Sequence, residues 1–123
     1  MKIAVVGLGV IGKTHVTALS FLGQEVSLLC DIIPERAQKV KETLAPNARV
    51  YADFHEMLEK EKPDAVHICT PHYLHADMIV EALSRNIHVL CEKPLCIRHA
   101  DIDRILTAEK ASRATLGVCH QNR

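Results

Sequence analysis

Ile3-Ala4-Val5-Val6-Gly7-Leu8-Gly9-Val10-Ile11-Gly12 is the stretch that decides the fold. Four apolar residues of strand type run directly into a glycine turn, and the turn runs into a segment with Val16, Leu19 and Leu22 recurring at helical spacing. A strand, a Gly-x-Gly-x-x-Gly turn and a helix in that order form the context that a dinucleotide pyrophosphate requires. The first glycine permits the tight turn, the second lets backbone approach the phosphates, and the third lets helix pack closely on strand. The helix start then offers unpaired N–H groups and a positive dipole end to the anion.

Outward from this turn, apolar runs of strand length alternate with amphipathic runs of helix length. Strands are predicted at Ile3–Val6, Val26–Cys30, Arg49–Tyr51, Ala65–Cys69, Ile87–Cys91 and Thr115–Cys119. Helices are predicted near 12–22, from Pro34 through Leu44, around Phe54–Leu58, near 74–85 and near 100–111. Several strands are continuously apolar, as strands covered on both faces are. Alternation of this kind specifies a parallel sheet built from βαβ units. The expected fold is α/β and doubly wound: a parallel six-stranded Rossmann sheet of order 3-2-1-4-5-6, with right-handed crossovers and helices on both faces.

The chain has 123 residues, room for one domain with a core and not for two. Residues 1–123 are therefore expected to be a single dinucleotide-binding domain. Fifteen basic side chains balance fifteen acidic ones, so the net charge gives no reason to expect nucleic acid or an anionic membrane as partner. Mean hydropathy is +0.05, and the apolar runs fall far short of the ~20 residues of a membrane span. The N-terminus enters a strand at once and lacks the pattern of a signal peptide, which leads to a cytoplasmic expectation. Cys30, Cys69, Cys91, Cys96 and Cys119 include no CxxC pair and read as reduced thiols, mostly in or beside strands.

Asp31 ends the second predicted strand, about 20 residues beyond the glycine turn, where a carboxylate accepts hydrogen bonds from the adenosine ribose and repels a 2′-phosphate. NAD is therefore the expected cofactor and NADP the less favoured one. The competing reading makes Asp31 a cap ahead of Pro34, and Arg36 and Lys39 lie close enough in sequence to soften the discrimination. Further polar residues fall at strand ends: Thr70-Pro71-His72-Tyr73-Leu74-His75, Glu92-Lys93-Pro94 and His120-Gln121-Asn122-Arg123. These are carboxyl ends, the edge at which open α/β sheets bind ligands. Among the eight histidines, His72 and His75 have a spacing that would suit a metal, but no third ligand follows and no metal is expected. His67 and His88 fall inside strands and read as hydrogen-bonded sheet residues. His55 and His99 read as surface or helix-start positions.

Taken together, Gly7-x-Gly9-x-x-Gly12 with His15, Thr70-Pro71, His75, Cys91-Glu92-Lys93-Pro94 and Gly117-x-x-His120-Gln121-Asn122-Arg123 resemble one group. It is the glucose–fructose oxidoreductase, inositol dehydrogenase and MocA family of NAD(P)-dependent oxidoreductases, and the resemblance covers essentially the whole chain. It implies that Gly9, Val10 and Ile11 lie against the pyrophosphate, Asp31 against the adenosine ribose, and Thr70 and Pro71 along the dinucleotide. His75 is counted with the cofactor-binding set. Glu92 and Lys93 are placed near the nicotinamide ribose, Lys93 facing the substrate as the catalytic residue, and Asn122 near the nicotinamide end. Family members often carry Asn where this chain has His72.

The resemblance also implies a second, C-terminal domain that supplies the substrate pocket and that this sequence does not contain. The expected activity of the whole is hydride transfer between nicotinamide and a secondary alcohol of a sugar or polyol, and the fragment alone is expected to turn over poorly. The alternative is a stand-alone NAD(H)-binding module without turnover. A methyltransferase reading is disfavoured by the third glycine and by Glu92-Lys93-Pro94. Apolar surface and the edge at the sixth strand lead to an expectation of weak self-association.

Overall fold

The computed structural model describes residues 1–95 and 98–119. Six strands form one parallel sheet: β1 (Ile3–Val6), β2 (Val26–Cys30), β3 (Arg49–Tyr51), β4 (Ala65–Ile68), β5 (His88–Glu92) and β6 (Leu116–Cys119). Their spatial order is β3-β2-β1-β4-β5-β6, the order expected from the sequence. The connecting helices are α1 (Val10–Phe21), α2 (Pro34–Leu44), α3 (Phe54–Glu61), α4 (His75–Ser84) and α5 (His99–Ala111).

Successive side chains of a strand point to opposite faces, and β1 shows what this does here. Ile3 and Val5 join Val16, Leu19, Leu29, Ala37 and Val40 in a core under α1 and α2. Ala4 and Val6 join Met57, Leu58, Ile79, Leu83 and Ile105 in a second core under α3, α4 and α5. All four β1 residues are therefore buried, which explains why the strand reads as unbroken hydrophobicity.

Local signals set the helix boundaries. Pro34 occupies the first turn of α2, where a missing N–H costs nothing. The Asp53 carboxylate caps α3 by accepting the Glu56 amide, and Lys62 closes that helix in the left-handed region at φ 47°. No side chain among the described residues caps the start of α1, and its first turn holds no acidic residue.

The two halves of the sheet are covered unequally. On the α1 side, β4, β5 and β6 present His67, Leu90, Glu92 and Cys119 to an open cleft of about 330 Å³ whose other wall includes Ile11, Thr14, Ala18 and Leu22 of or next to α1. No described helix is long and apolar enough to cross a membrane.

Candidate functional site

The glycine turn packs as its three positions predict. Gly7 has φ +86°, and a Cβ there would stand 2.7 Å from the Cys69 carbonyl carbon, so β1 and β4 approach too closely for any side chain. A Cβ on Gly12 would lie 1.8 Å from the Gly7 carbonyl oxygen. A Cβ on Gly9 meets nothing within 4 Å, so the middle glycine borders open space. That space continues as a cleft of about 370 Å³ along the carboxyl edge, bordered by Leu8, Asp31, Ile32, Arg36, Thr70 and Pro71. Its mixture of loop backbone, apolar walls and one carboxylate fits an adenosine and a pyrophosphate.

Asp31 does not cap α2, whose N-cap is Ile33 with no side-chain cap bond; the Asp31 carboxylate instead joins two turns. Its Oδ2 accepts the Leu8 amide at 2.8 Å, and its Oδ1 accepts the Ile33 amide at 2.8 Å. The carboxylate thus clamps the glycine turn to the β2–α2 turn while bordering the cleft. The Arg36 guanidinium stands 4.0 Å from Oδ2, the nearest cation to that carboxylate among the ion pairs of the described residues. The same charge helps keep the neighbouring Cys30 thiol protonated: burial first and Asp31 second push it up to about 12.

At the centre of the edge, Thr70 is half-buried with its hydroxyl on Met78 Sδ at 3.4 Å, and exposed Pro71 leads into a single 3-10 turn at His72–Leu74. His75 is fully buried. Its Nε2 lies 2.8 Å from the Thr70 carbonyl oxygen and its Nδ1 2.8 Å from the Pro94 carbonyl oxygen. It lies between the loops after β4 and β5. His72 is exposed, with its ring 6.4 Å from that of His75.

Glu92 is the last residue of β5 rather than the first residue beyond it, and it pairs in register with Cys119. Its side chain turns inward: Oε2 meets His15 Nε2 at 2.6 Å. His15 Nδ1 in turn faces His67 Nδ1 at 2.9 Å, the two rings nearly perpendicular. Burial, and then the charge of His15, hold the His67 ring down at about 4, so His67 is neutral at ordinary pH. The Cys119 thiol also reaches Glu92; burial first and that carboxylate second push the thiol up. The sequence alone did not assemble this group, because its members come from α1, β4, β5 and β6.

His15, Glu92 and Cys119 are close enough to share a metal ion, their donor atoms lying within 4.8 Å of one another. The His15–Glu92 separation of 2.6 Å is nevertheless that of a charge-assisted hydrogen bond. Two donors bound tetrahedrally at ~2.0–2.1 Å would stand roughly 3.3 Å apart. The geometry satisfies His15 and Glu92 without an ion.

Lys93 is exposed immediately beyond β5, and the Lys93–Pro94 peptide is cis. Cys30, Cys69, Cys91 and Cys119 are free thiols. Asn122 lies outside the described residues, as do Cys96, His120, Gln121 and Arg123. A larger hollow of about 630 Å³ lies at the opposite, amino edge of the sheet, bordered by Lys62, Asp64, Asn86 and His88. It is lined by no glycine turn and no helix N-terminus, so size does not make it the better site for a dinucleotide.

The sheet order, the open middle glycine and the carboxylate at the tip of β2 define a dinucleotide-binding Rossmann domain. A family model described as the oxidoreductase family, NAD-binding Rossmann fold, matches residues 1–120, and the chain belongs to this Gfo/Idh/MocA family. Inositol 2-dehydrogenase of Salmonella typhimurium is 38% identical over 112 residues, which is 89% of this chain and 33% of the relative. Myo-inositol 2-dehydrogenase of Thermotoga maritima is 32% identical over 117 residues, 94% of this chain and 35% of the relative. The chain thus spans about a third of the length of these relatives.

Among solved structures, the WlbA dehydrogenase of Chromobacterium violaceum, in complex with NADH and UDP-GlcNAcA, superposes with a TM-score of 0.92 at 31% identity. The match covers 100% of this chain and 36% of that one. Myo-inositol dehydrogenase of Lactobacillus casei, in complex with NAD(H) and myo-inositol, gives 0.89 at 28% identity over 96% of this chain and 36% of that one.

Proposed function

We propose that this chain is the cofactor-binding half of an oxidoreductase that moves a hydride between NAD(H) and a secondary alcohol carbon of a sugar, polyol or related compound. The observation that carries the reading is the open space at Gly9, set between the uncapped start of α1 and Asp31. It is supported by two similar solved structures that hold NADH or NAD(H).

On this reading the amides at the start of α1, from Gly9 through Ile11, hold the pyrophosphate with their partial positive charge. Asp31, already fixed by two amides, has lone pairs left for the adenosine ribose hydroxyls and sets a negative charge against a 2′-phosphate. Thr70 and Pro71 line the middle of the dinucleotide. Glu92 and Lys93 serve the nicotinamide half, with Asn122 beyond them. The bound nicotinamide supplies the hydride chemistry. Lys93, as an ammonium at a strand end, would steady the substrate oxygen while the hydroxyl proton leaves to solvent and the hydride to the nicotinamide.

The residues that choose the substrate and exclude water belong, in this proposal, to a second domain; the relatives are about three times as long as this chain. Titration calorimetry with NADH and separately with NADPH tests the reading. Tighter binding of NADH is expected, and failure of both to bind, or a preference for NADPH, would overturn it.

A further inference from the structure

We propose that His15 is a positioning residue for the nicotinamide half of the cleft: with His67 behind it, His15 completes a directed hydrogen-bond chain that holds the Glu92 carboxylate in place as an anion one residue before Lys93. The proposal rests on the cofactor reading above for its functional meaning, but the chain itself stands on geometry.

Three side chains from three elements meet end to end, His67 Nδ1 to His15 Nδ1 at 2.9 Å and His15 Nε2 to Glu92 Oε2 at 2.6 Å. With His15 neutral, counting protons fixes the direction; a protonated His15 would donate from both nitrogens and turn the His67 contact around. Two Nδ1 atoms that face each other can share only one hydrogen. A carboxylate oxygen at hydrogen-bond distance requires a hydrogen on His15 Nε2. A neutral His15 then has no hydrogen on Nδ1, which must accept, so His67 donates from Nδ1. For a neutral His15 every donor meets an acceptor only in this sense, from His67 through His15 to Glu92. The reverse sense would place the bare Nε2 lone pair of a neutral His15 against a carboxylate.

The neutral state of His67 follows from its burial and suits it to be the end of the chain. Cys119, the register partner of Glu92, closes the other side of the carboxylate, and the chain borders the open cleft between α1 and β5–β6.

A fixed carboxylate near the nicotinamide has an electrostatic consequence. The oxidised ring carries a positive charge and the reduced ring does not, so an anion held nearby favours NAD⁺ relative to NADH. The strength of that preference depends on the carboxylate staying where His15 puts it.

Long-range ¹H–¹⁵N NMR spectra of the 123-residue chain read the imidazole tautomers directly. The expected result is a hydrogen on Nδ1 of His67 and on Nε2 of His15; a hydrogen on Nε2 of His67 would overturn the chain. The ratio of NAD⁺ to NADH affinity then tests the positioning role. His15→Gln keeps an N–H donor and is expected to leave the ratio near its original value. His15→Ala is expected to lower it several-fold, and an unchanged ratio in that variant would overturn the role. Should neither cofactor bind, the cofactor reading and the positioning role built on it both fail, while the tautomers still decide whether the chain exists.

Discussion

The carbonyl oxygen of Gly7 lies so close to Gly12 that a Cβ on Gly12 would stand 1.8 Å from it. This contact seats the start of α1 on the end of β1 and aims the helix at the carboxyl edge. Three glycines in six positions therefore carry three different loads, and substitutions should separate them.

Gly12→Ala forces helix and turn apart and is expected to destabilise the fold by several kcal/mol, in the range of severe overpacking. Gly9→Ala adds a methyl group to open space, at a φ of −75° that alanine adopts readily. It should melt within a few degrees of the parent while losing at least tenfold in NADH affinity, because the methyl occupies the pyrophosphate's place. Thermal melts paired with calorimetry check both variants. Equal losses of stability would show that the open space at Gly9 has been misread.

Asp31 is expected to matter before any cofactor arrives. Asp31→Ala strips the acceptor from the buried Leu8 amide, a loss of about 1–3 kcal/mol for an unpaired buried donor, with a smaller loss at the less buried Ile33 amide. Cofactor-free denaturant melts of the variant should show that loss. An unchanged midpoint would mean that the carboxylate does not clamp the glycine turn.

The acid flank of stability should have two stages. The His67 ring is held at about 4, below its ordinary 6.5, so the unfolded chain takes up that proton first. Its contribution is whole above pH 6.5, falls as pH drops toward 4, and stays constant below. Glu61 is held at about 2, below its ordinary 4.5, chiefly by hydrogen bonds from Arg49 and then Tyr51. Its contribution is whole above pH 4.5 and disappears as pH falls through 2. Denaturant midpoints measured against pH should lose the upper stage in His67→Gln and the lower stage in Glu61→Gln. A flank that neither variant alters would contradict these environments.

The fold was legible because its signals are local. The unbroken apolar run of Ile3–Val6, the glycine spacing and Pro34 each act over a few residues, and the glycine turn after the first strand points to the dinucleotide-binding sheet order that is observed. The limits of elements were less legible. Glu92 looks like the start of a loop because it is charged, yet it completes the β5 ladder, its charge being met by His15. The cap reading of Asp31 fails because its carboxylate reaches the Leu8 and Ile33 amides and leaves the start of α2 without a side-chain cap. The place of His75 between the Thr70 and Pro94 carbonyls was not legible either, since it joins two loops from different strands.

The His67–His15–Glu92 chain could not be read from spacing, since its links join residues 52 and 77 positions apart. One signal was available in hindsight: His67 and Glu92 occupy alternating positions on adjacent parallel strands that turn to the same face as α1. That inference requires the register His67↔Leu90, which hydrophobic pattern alone does not supply.

The central claim is that a dinucleotide lies across the carboxyl edge with its pyrophosphate at Gly9. Backbone amide ¹H–¹⁵N spectra of the 123-residue chain, recorded as NADH is added, test it most directly. The account predicts saturable shifts at Leu8–Ile11, Asp31–Ile33 and Thr70, with Asp64, Asn86 and His88 at the amino edge unmoved. Shifts confined to the larger hollow at that amino edge, or none at the glycine turn, would contradict it.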